Sequence, residues 1–267
     1  MSATLSLDGL VFEAVEWAVS DYVMTLTLNR PDSKNAINMV MANELIYCLD
    51  YAKQERGIRV VVITAKGSVF CAGGDLKMMT GGGGVTKSTV PSRGDTTDIS
   101  RCIRDLYKPV IIKAQGHVIA GALMLICSAT HVVVTDEVTF SAPEIKRGLW
   151  PYMVMASLFR VMPRRVGLDF IMRGFKINAE QAKAWGLVSE VVPILELNET
   201  VAQLSSELAS LAPGTMQLGL EAFYHQEDQT VKEALPYLQQ MLAKTIASPD
   251  AQEGISAFLQ RREPKWR

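Results

Sequence analysis

Three short runs rich in β-branched residues are the feature that most restricts how this chain can fold. They occur in "RVVVITAKG", "KPVIIKAQG" and "HVVVTDEVTFSA", all within residues 59–142. A short, continuous apolar run is typical of a strand that is buried on both faces of a sheet. Segments with small or helix-forming residues separate the runs, which favours crossover connections over hairpins. The pattern therefore predicts an α/β fold.

The segment before these runs predicts a strand pair followed by a helix. "LVFEAVEW" and "YVMTLTLN" alternate apolar and polar residues, as strands with one buried face do. Asn38 is the expected N-cap of a helix whose apolar residues then recur at helical spacing. Gly81–Gly84 open the one low-complexity stretch, which predicts a mobile excursion.

The chain is predicted to be helical almost throughout from Tyr152 onward. Asn178 and Gln181 have the spacing of a capping box, and Ser248 precedes a proline as an N-cap residue often does. Long amphipathic segments follow within residues 199–246. These segments could close the core, or they could pack on another subunit.

Composition and charge exclude several classes of function. The 267 residues are 48% hydrophobic and 21% charged, and the net charge is −1. Such a charge provides no global attraction to nucleic acid or to an anionic membrane. The three histidines lack metal-ligand spacing, so a zinc site or a Ser–His–Asp triad is poorly supported. No apolar run reaches the ~18–20 residues of a membrane span and no signal segment is visible, so a cytoplasmic protein is predicted.

Small residues follow two of the predicted strands at their C-terminal ends, where α/β proteins bind ligands. In Ala72-Gly73-Gly74-Asp75, a helix that begins near Asp75 would leave the N–H groups around Gly74 unpaired. In "GHVIAGAL", Gly121 would offer a second N–H group. Two donors that converge on one carbonyl oxygen would form an oxyanion hole. For each glycine group taken by itself, the alternative is that the glycines only allow the backbone to turn.

A carboxylate follows the third strand. Glu144 comes directly after Pro143, in the apolar surroundings of Ile145, Leu149 and Trp150. Partial desolvation there would raise the pKa of Glu144 and make it a better proton carrier near neutral pH. The alternative is an exposed glutamate after a strand.

At these residues the chain resembles the enoyl-CoA hydratase/isomerase (crotonase) superfamily. The matching motifs occur in the family's order and span almost the whole chain. They are "LTLNRPDSKNAIN", "FCAGGDLK", "KPVIIKAQGHVIAGAL", "FSAPEIKRGLWP", "INAEQAKAWGLVSEVV" and "FLQRREPKW".

The resemblance implies a spiral of ββα units over residues 1–200. It also implies a C-terminal helical region, residues 201–267, that mediates assembly into a homotrimer or a dimer of trimers. The implied substrate is an acyl-CoA thioester. Because coenzyme A is part of that substrate, no separate cofactor and no metal are expected.

The resemblance also assigns roles within the site. The thioester carbonyl would lie between the N–H groups of Gly74 and Gly121, which would explain the glycines, and Glu144 would be the acid/base. Asp75 would open the next helix, where a carboxylate suits the positive end of the helix dipole. The residues expected to contact coenzyme A are Lys34, Ala72, Asp75, Leu76, Lys77 and Lys265. Lys34 and Lys265 are the candidates for its phosphates, Lys265 from a neighbouring subunit, and the alternative for either lysine is a solvated surface residue.

The chain departs from the family pattern at two places in the expected acyl pocket. Met124 stands where hydratases carry the first of two glutamates, and methionine does not hold or deprotonate water. The segment from Tyr152 to Met155 replaces a glycine-rich one, so that Tyr152, beside Trp150, would either reshape the pocket or start a helix whose methionines fill the core.

Three functions follow as hypotheses. The leading one is an enoyl-CoA hydratase that adds water to a 2-enoyl-CoA with Glu144 as its single acid/base. The first alternative is a Δ3,Δ2-enoyl-CoA isomerase in which Glu144 moves a proton from C2 to C4. The second is a catalytically weak homologue that binds coenzyme A esters.

Overall fold

The computed structural model describes residues 5–79 and 85–266, so that Gly81–Gly84 lie outside the described residues. The strands are β1 Val15–Ser20, β2 Val23–Leu28, β3 Val60–Ala65, β4 Val69–Cys71, β5 Val110–Ala114, β6 His117–Ile119, β7 His131–Thr135, β8 Thr139–Ser141, β9 Lys176–Asn178 and β10 Glu190–Val192. The α-helices are α1 Met39–Gln54, α2 Leu76–Met79, α3 Ile99–Asp105, α4 Leu123–Ser128, α5 Tyr152–Val161, α6 Arg164–Arg173, α7 Ala179–Ala184, α8 Leu197–Ser210, α9 Pro213–Gln226, α10 Val231–Ile246 and α11 Pro249–Gln260. Short 3₁₀ helices span Pro31–Ser33, Ala120–Ala122 and Pro143–Arg147.

From β3 to β8, consecutive strands alternate between two sheets. The larger sheet has the order β1-β2-β3-β5-β7-β10 and the smaller one β4-β6-β8-β9. The pairs β3–β4, β5–β6 and β7–β8 thus each place one strand in each sheet, and a helical segment follows each pair. The pairing from β2 to β10 in the larger sheet is parallel. This is the predicted α/β spiral of ββα units.

The core lies between the sheets and the helices of the spiral. The apolar face of α1 is buried, and Asn38 caps this helix by accepting a hydrogen bond from the Met41 amide, as expected. On the other face of the larger sheet, Val62 and Ile111 pack with Val201 of α8 in a smaller cluster. The continuous apolar runs thus have both faces covered, as predicted.

The first strand begins later than expected. β1 starts at Val15 rather than near Leu10, and it pairs with β2 in an antiparallel hairpin. The Glu44 carboxylate, fully buried on α1, accepts hydrogen bonds from the amides of Glu13, Ala14 and Val15, each at 2.8 Å. These amides are therefore bonded to a side chain from α1 rather than to a neighbouring strand.

The C-terminal helices bury few side chains. The boundary expected after residue 200 lies inside α8, so the division into two regions stays a prediction. The capping box at Asn178 and the N-cap at Ser248 are present, as predicted. Among residues 5–79 and 85–266, no helix is both long and apolar enough to cross a bilayer.

Candidate active site

A cavity of about 690 Å³ opens beside the C-terminal ends of β4 and β6 and the start of α5. It collects every residue that the sequence assigned to the site except Lys265. These residues are Lys34, Ala72, Gly74, Asp75, Leu76, Lys77, Gly121, Met124, Glu144, Trp150 and Tyr152. The cavity is also lined by residues that the sequence did not assign, which are Ala36, Ile37, Thr96, Ile119, Ala120, Arg147, Leu149, Pro151, Met153 and Val154.

A short β-bridge to Ile37 orients the amide of Gly74. Ile37 donates to the Gly73 carbonyl at 2.7 Å and accepts from the Asp75 amide at 3.0 Å. Because successive amides of extended backbone point in opposite directions, the Gly74 N–H points away from Ile37. Gly121 lies close to this amide, because an added Cβ on Gly121 would be 3.3 Å from the Gly74 nitrogen. The two amides thus lie close together at the cavity wall.

Gly73 is required by the protein's own backbone. Its φ is +84°, and a Cβ there would lie 2.6 Å from the Gly121 nitrogen. The expected reason for the glycine pair, close approach of a ligand, therefore does not apply to Gly73, because the neighbouring 3₁₀ segment occupies that space. Helix α2 begins at Leu76, directly after Asp75, as expected, and the bridge to Ile37 sets the direction of the Gly74 amide.

Asp75 is held by an arginine that the sequence did not single out. Its Oδ2 accepts hydrogen bonds from both terminal nitrogens of Arg30 at 3.2 Å, and its Oδ1 accepts from the Lys77 amide at 3.2 Å. Arg30 also donates to the Ala36 carbonyl. The Arg30 guanidinium therefore ties together the two segments that form this wall of the cavity.

Glu144 presents an unsatisfied oxygen. It follows Pro143 in the 3₁₀ helix Pro143–Arg147, where proline suits the first helical position. Its Oε2 is buried and has no hydrogen-bond partner within the described residues. Burial raises the pKa of Glu144 above its usual value, while a bond from its own amide and the charge of Arg147 oppose this rise. An orphaned carboxylate oxygen in a cavity is suited to proton transfer with a bound molecule.

The Tyr152–Met155 segment fulfils both expected alternatives, since part of it lines the cavity and part of it packs into the core. Tyr152 and Met153 line the cavity, and Tyr152 remains 66% exposed. Met155 packs against the core instead, and its sulfur accepts a hydrogen bond from Trp150 Nε1 at 3.2 Å. Met124 also lines the cavity and is only 8% exposed.

The lysines expected near coenzyme A differ in their placement. Lys34 and Lys77 line the cavity, and the Lys34 carbonyl accepts a hydrogen bond from the Ala72 amide at 3.0 Å. Lys265 is exposed, donates from its amide to Glu253, and does not line the cavity of this chain. Arg147 was missed, although its position three residues after Glu144 in a proline-initiated turn was a usable signal.

The sequence and the fold have clear relatives. The family model described as "Enoyl-CoA hydratase/isomerase" matches residues 19–267. The mitochondrial enoyl-CoA hydratase domain-containing protein 3 of Rattus norvegicus is 30% identical over 92% of this chain and 82% of its own length. The 2,3-dehydroadipyl-CoA hydratase of Escherichia coli K12 is 30% identical over 92% of this chain and 95% of its own. Because the name of the rat protein includes "mitochondrial", the expected cytoplasmic location stays a prediction.

Solved structures agree with these matches. The human enoyl-CoA hydratase domain-containing protein 3 superposes with a TM-score of 0.86 at 28% identity, over 95% of this chain and all of the other. An enoyl-CoA hydratase of Mycobacterium smegmatis has the same TM-score and identity, over 95% of this chain and 99% of its own. The protein therefore belongs to the enoyl-CoA hydratase/isomerase family.

Proposed function

We propose that the protein is an enoyl-CoA hydratase that adds water across the C2=C3 bond of a 2-enoyl-CoA thioester. The observation that carries this proposal is the unpartnered Oε2 of Glu144, which borders the same cavity as Gly74 and Gly121. An acid/base and two amide donors are the groups that hydration of a conjugated thioester needs. Relatives named as hydratases of 2,3-dehydroadipyl-CoA and of mevalonyl-CoA support this choice within the family.

In the proposed reaction Glu144 acts first as base and then as acid. Its ionised carboxylate takes a proton from water as the water oxygen bonds to C3, and electrons move from the C2=C3 bond to the thioester oxygen. The amides of Gly74 and Gly121 donate to the enolate oxygen and stabilise it. Protonated Glu144 then gives its proton to C2, which restores the thioester. One carboxylate thus serves for both proton transfers.

The Δ3,Δ2-enoyl-CoA isomerase is the second candidate, and Met124 favours it. This buried methionine occupies the place of a second carboxylate, and isomerisation needs only one. Glu144 would take a proton from C2 of a 3-enoyl-CoA and return it to C4. The same two amides would stabilise the dienolate between these steps.

Mass spectrometry of the products separates the two candidates. Purified protein is incubated with 2-enoyl-CoA and, separately, with 3-enoyl-CoA. The proposal expects a product heavier by one water molecule from the 2-enoyl ester, and loss of this product in Glu144→Gln. Glu137→Gln, an exposed carboxylate on the turn after β7 that does not line the cavity, is the matched control and retains activity.

Two results would contradict the hydratase. Conversion of the 3-enoyl ester without a mass change, and no hydration of the 2-enoyl ester, would identify the isomerase. Binding of both esters without any conversion would favour the catalytically weak homologue.

We further propose that the protein assembles as a homotrimer or a dimer of trimers through its C-terminal helices. The apolar residues exposed on α10 recur at helical spacing and include Val231, Leu235, Leu242 and Ile246, each more than half exposed. Phe258 and Leu259 of α11 are 82% and 75% exposed. Apolar surface of this extent on neighbouring helices is typical of a protein–protein interface.

A further inference from the structure

Arg147 shares one face of a short helix with Glu144. Both belong to the 3₁₀ helix Pro143–Arg147, and both line the cavity. In a 3₁₀ helix, residues three positions apart lie one above the other, and the rise of ~2 Å per residue separates them by ~6 Å along the axis. The cavity therefore has a cation one helical turn beyond its acid/base.

The guanidinium of Arg147 has no hydrogen-bond or ion-pair partner among the described residues. Glu144 feels its charge without forming an ion pair with it. Asp75, the other carboxylate that lines the cavity, is already paired with Arg30. An arginine with a free planar fork of donors matches the geometry of a carboxylate, which it can bind bidentately.

The other cations of the cavity lie on different elements. Lys34 directly follows the 3₁₀ helix Pro31–Ser33, and Lys77 lies in α2. The proposed coenzyme A contacts lie there, whereas Arg147 lies on the 3₁₀ helix that carries Glu144, two residues before Leu149. The cations of the cavity thus come from separate segments of its wall, which suits a substrate with an anionic group at each end.

We propose that Arg147 selects substrates whose acyl chain carries a carboxylate beyond the double bond. The inference rests on the proposed hydratase activity and names its substrate class. For proton transfer, C2 and the water at C3 must approach the Glu144 carboxylate to ~3 Å. A cation one turn further along the helix then reaches a carboxylate a few carbon atoms beyond C3, across an apolar stretch that contacts Leu149 and Tyr152.

The test compares two esters of equal chain length. 5-Carboxypent-2-enoyl-CoA ends in a carboxylate, and hex-2-enoyl-CoA ends in a methyl group. Wild type is expected to have the higher kcat/KM for the acid by at least about tenfold, the value of one charge-assisted hydrogen bond. Arg147→Gln should reduce this ratio to near one, while Arg147→Lys should retain part of it.

Lys146→Gln is the matched control. Lys146 precedes Arg147 on the same turn, is exposed and does not line the cavity, so that this variant changes the net charge equally. It should keep the wild-type ratio. Equal ratios in wild type and Arg147→Gln, or an equal loss in Lys146→Gln, would overturn the assignment of Arg147 as the selecting residue.

Binding of unreactive esters separates this proposal from the hydratase itself. Dissociation constants of adipyl-CoA and hexanoyl-CoA, which have no double bond, are measured by calorimetry for the same variants. If wild type binds adipyl-CoA more tightly than hexanoyl-CoA and Arg147→Gln abolishes this preference, carboxylate recognition is supported. This holds even if no ester is hydrated, and in that case only the proposed hydratase function fails. If the protein hydrates 2-enoyl esters but shows no such preference in binding or in kcat/KM, carboxylate recognition is refuted and the proposed hydratase function stands.

Discussion

A Cβ atom on Gly73 would lie 2.6 Å from the amide nitrogen of Gly121. Gly73 precedes one proposed oxyanion donor, Gly74, and Gly121 carries the other. The spacing of the two donors therefore depends on the absence of a side chain at Gly73. The atoms nearest to such a Cβ are the Gly121 nitrogen, the Ala120 Cβ and the Ile119 oxygen, and none of them is the end of a flexible side chain that could move aside.

Gly73→Ala is expected to lower kcat by about 100-fold, the usual effect of losing one oxyanion donor. The added methyl group must displace the Gly121 amide, and alanine at φ +84° is strained as well. Gly9→Ala isolates the second effect, because Gly9 has φ +74° and none of the atoms of residues 5–79 and 85–266 lies within 4 Å of an added Cβ. Steady-state kinetics and urea unfolding of both variants provide the comparison. An equal loss of stability with unchanged kcat in both would show that the spacing is unimportant.

Glu144→Gln is expected to stabilise the fold at neutral pH. The pKa of Glu144 is raised by burial, so the folded state binds more protons than the unfolded state between the unfolded and folded pKa values. Stability therefore falls as pH rises through this window, which begins near the ordinary glutamate pKa of about 4.3. The variant has no such loss. The midpoint temperature of thermal unfolding should therefore be higher for the variant than for wild type at pH 7, and this difference should shrink toward pH 4.

The exposed Glu137→Gln is the reference for this measurement, and it should show no comparable pH-dependent gain. A Glu144→Gln protein that is less stable than wild type at pH 7 would mean that the carboxylate has a stabilising partner after all.

Asp75→Asn is expected to destabilise the protein by about 1.5–3 kcal/mol, the usual range for hydrogen bonds to charged groups. The side chains of Asp75 and Arg30 are 14% and 21% exposed, so solvent screens their ion pair only partly. Asp169→Asn is a suitable comparison, because Asp169 pairs with Arg173 at an exposed site and should lose less than about 1 kcal/mol. A double-mutant cycle of Asp75→Asn and Arg30→Gln, with the free energy of unfolding of each variant measured in urea, gives the coupling energy of the ion pair. Additive effects in the cycle would mean that the pair does not hold this wall of the cavity.

Leu235→Asp is expected to dissociate the proposed assembly. Leu235 is 61% exposed on α10, and a charge there would be desolvated at an interface. Leu195→Asp serves as the control, because Leu195 is 92% exposed outside the C-terminal helices. Sedimentation velocity should show a trimer or hexamer for wild type and the control, and smaller species for Leu235→Asp. A monomeric wild type would refute the proposed assembly.

Local patterns allowed a large part of the fold to be predicted. The helix caps at Asn38, Asn178 and Ser248 depend on residues within three positions along the chain, so they are visible without any tertiary information. The apolar runs predicted buried strands for a similar reason. A strand that is buried on both faces has apolar side chains at consecutive positions, and this pattern is visible in the sequence. The family motifs added the spiral and most of the residues that line the cavity.

Contacts between distant segments decided the rest. The late start of β1 depends on Glu44, which lies 29 to 31 positions from the amides it binds. Arg30 reaches Asp75 across 45 positions.

The sequence by itself was enough to assign Glu144, Gly74 and Gly121 to one candidate site, because residue type and local spacing carry their chemistry. Only the tertiary structure decided that Gly73 makes room for the Gly121 backbone and that Arg147, near Glu144, borders the cavity with no partner in the described part of the chain. The physical reason is that steric fit and charge pairing depend on distances between segments that the order of residues does not specify.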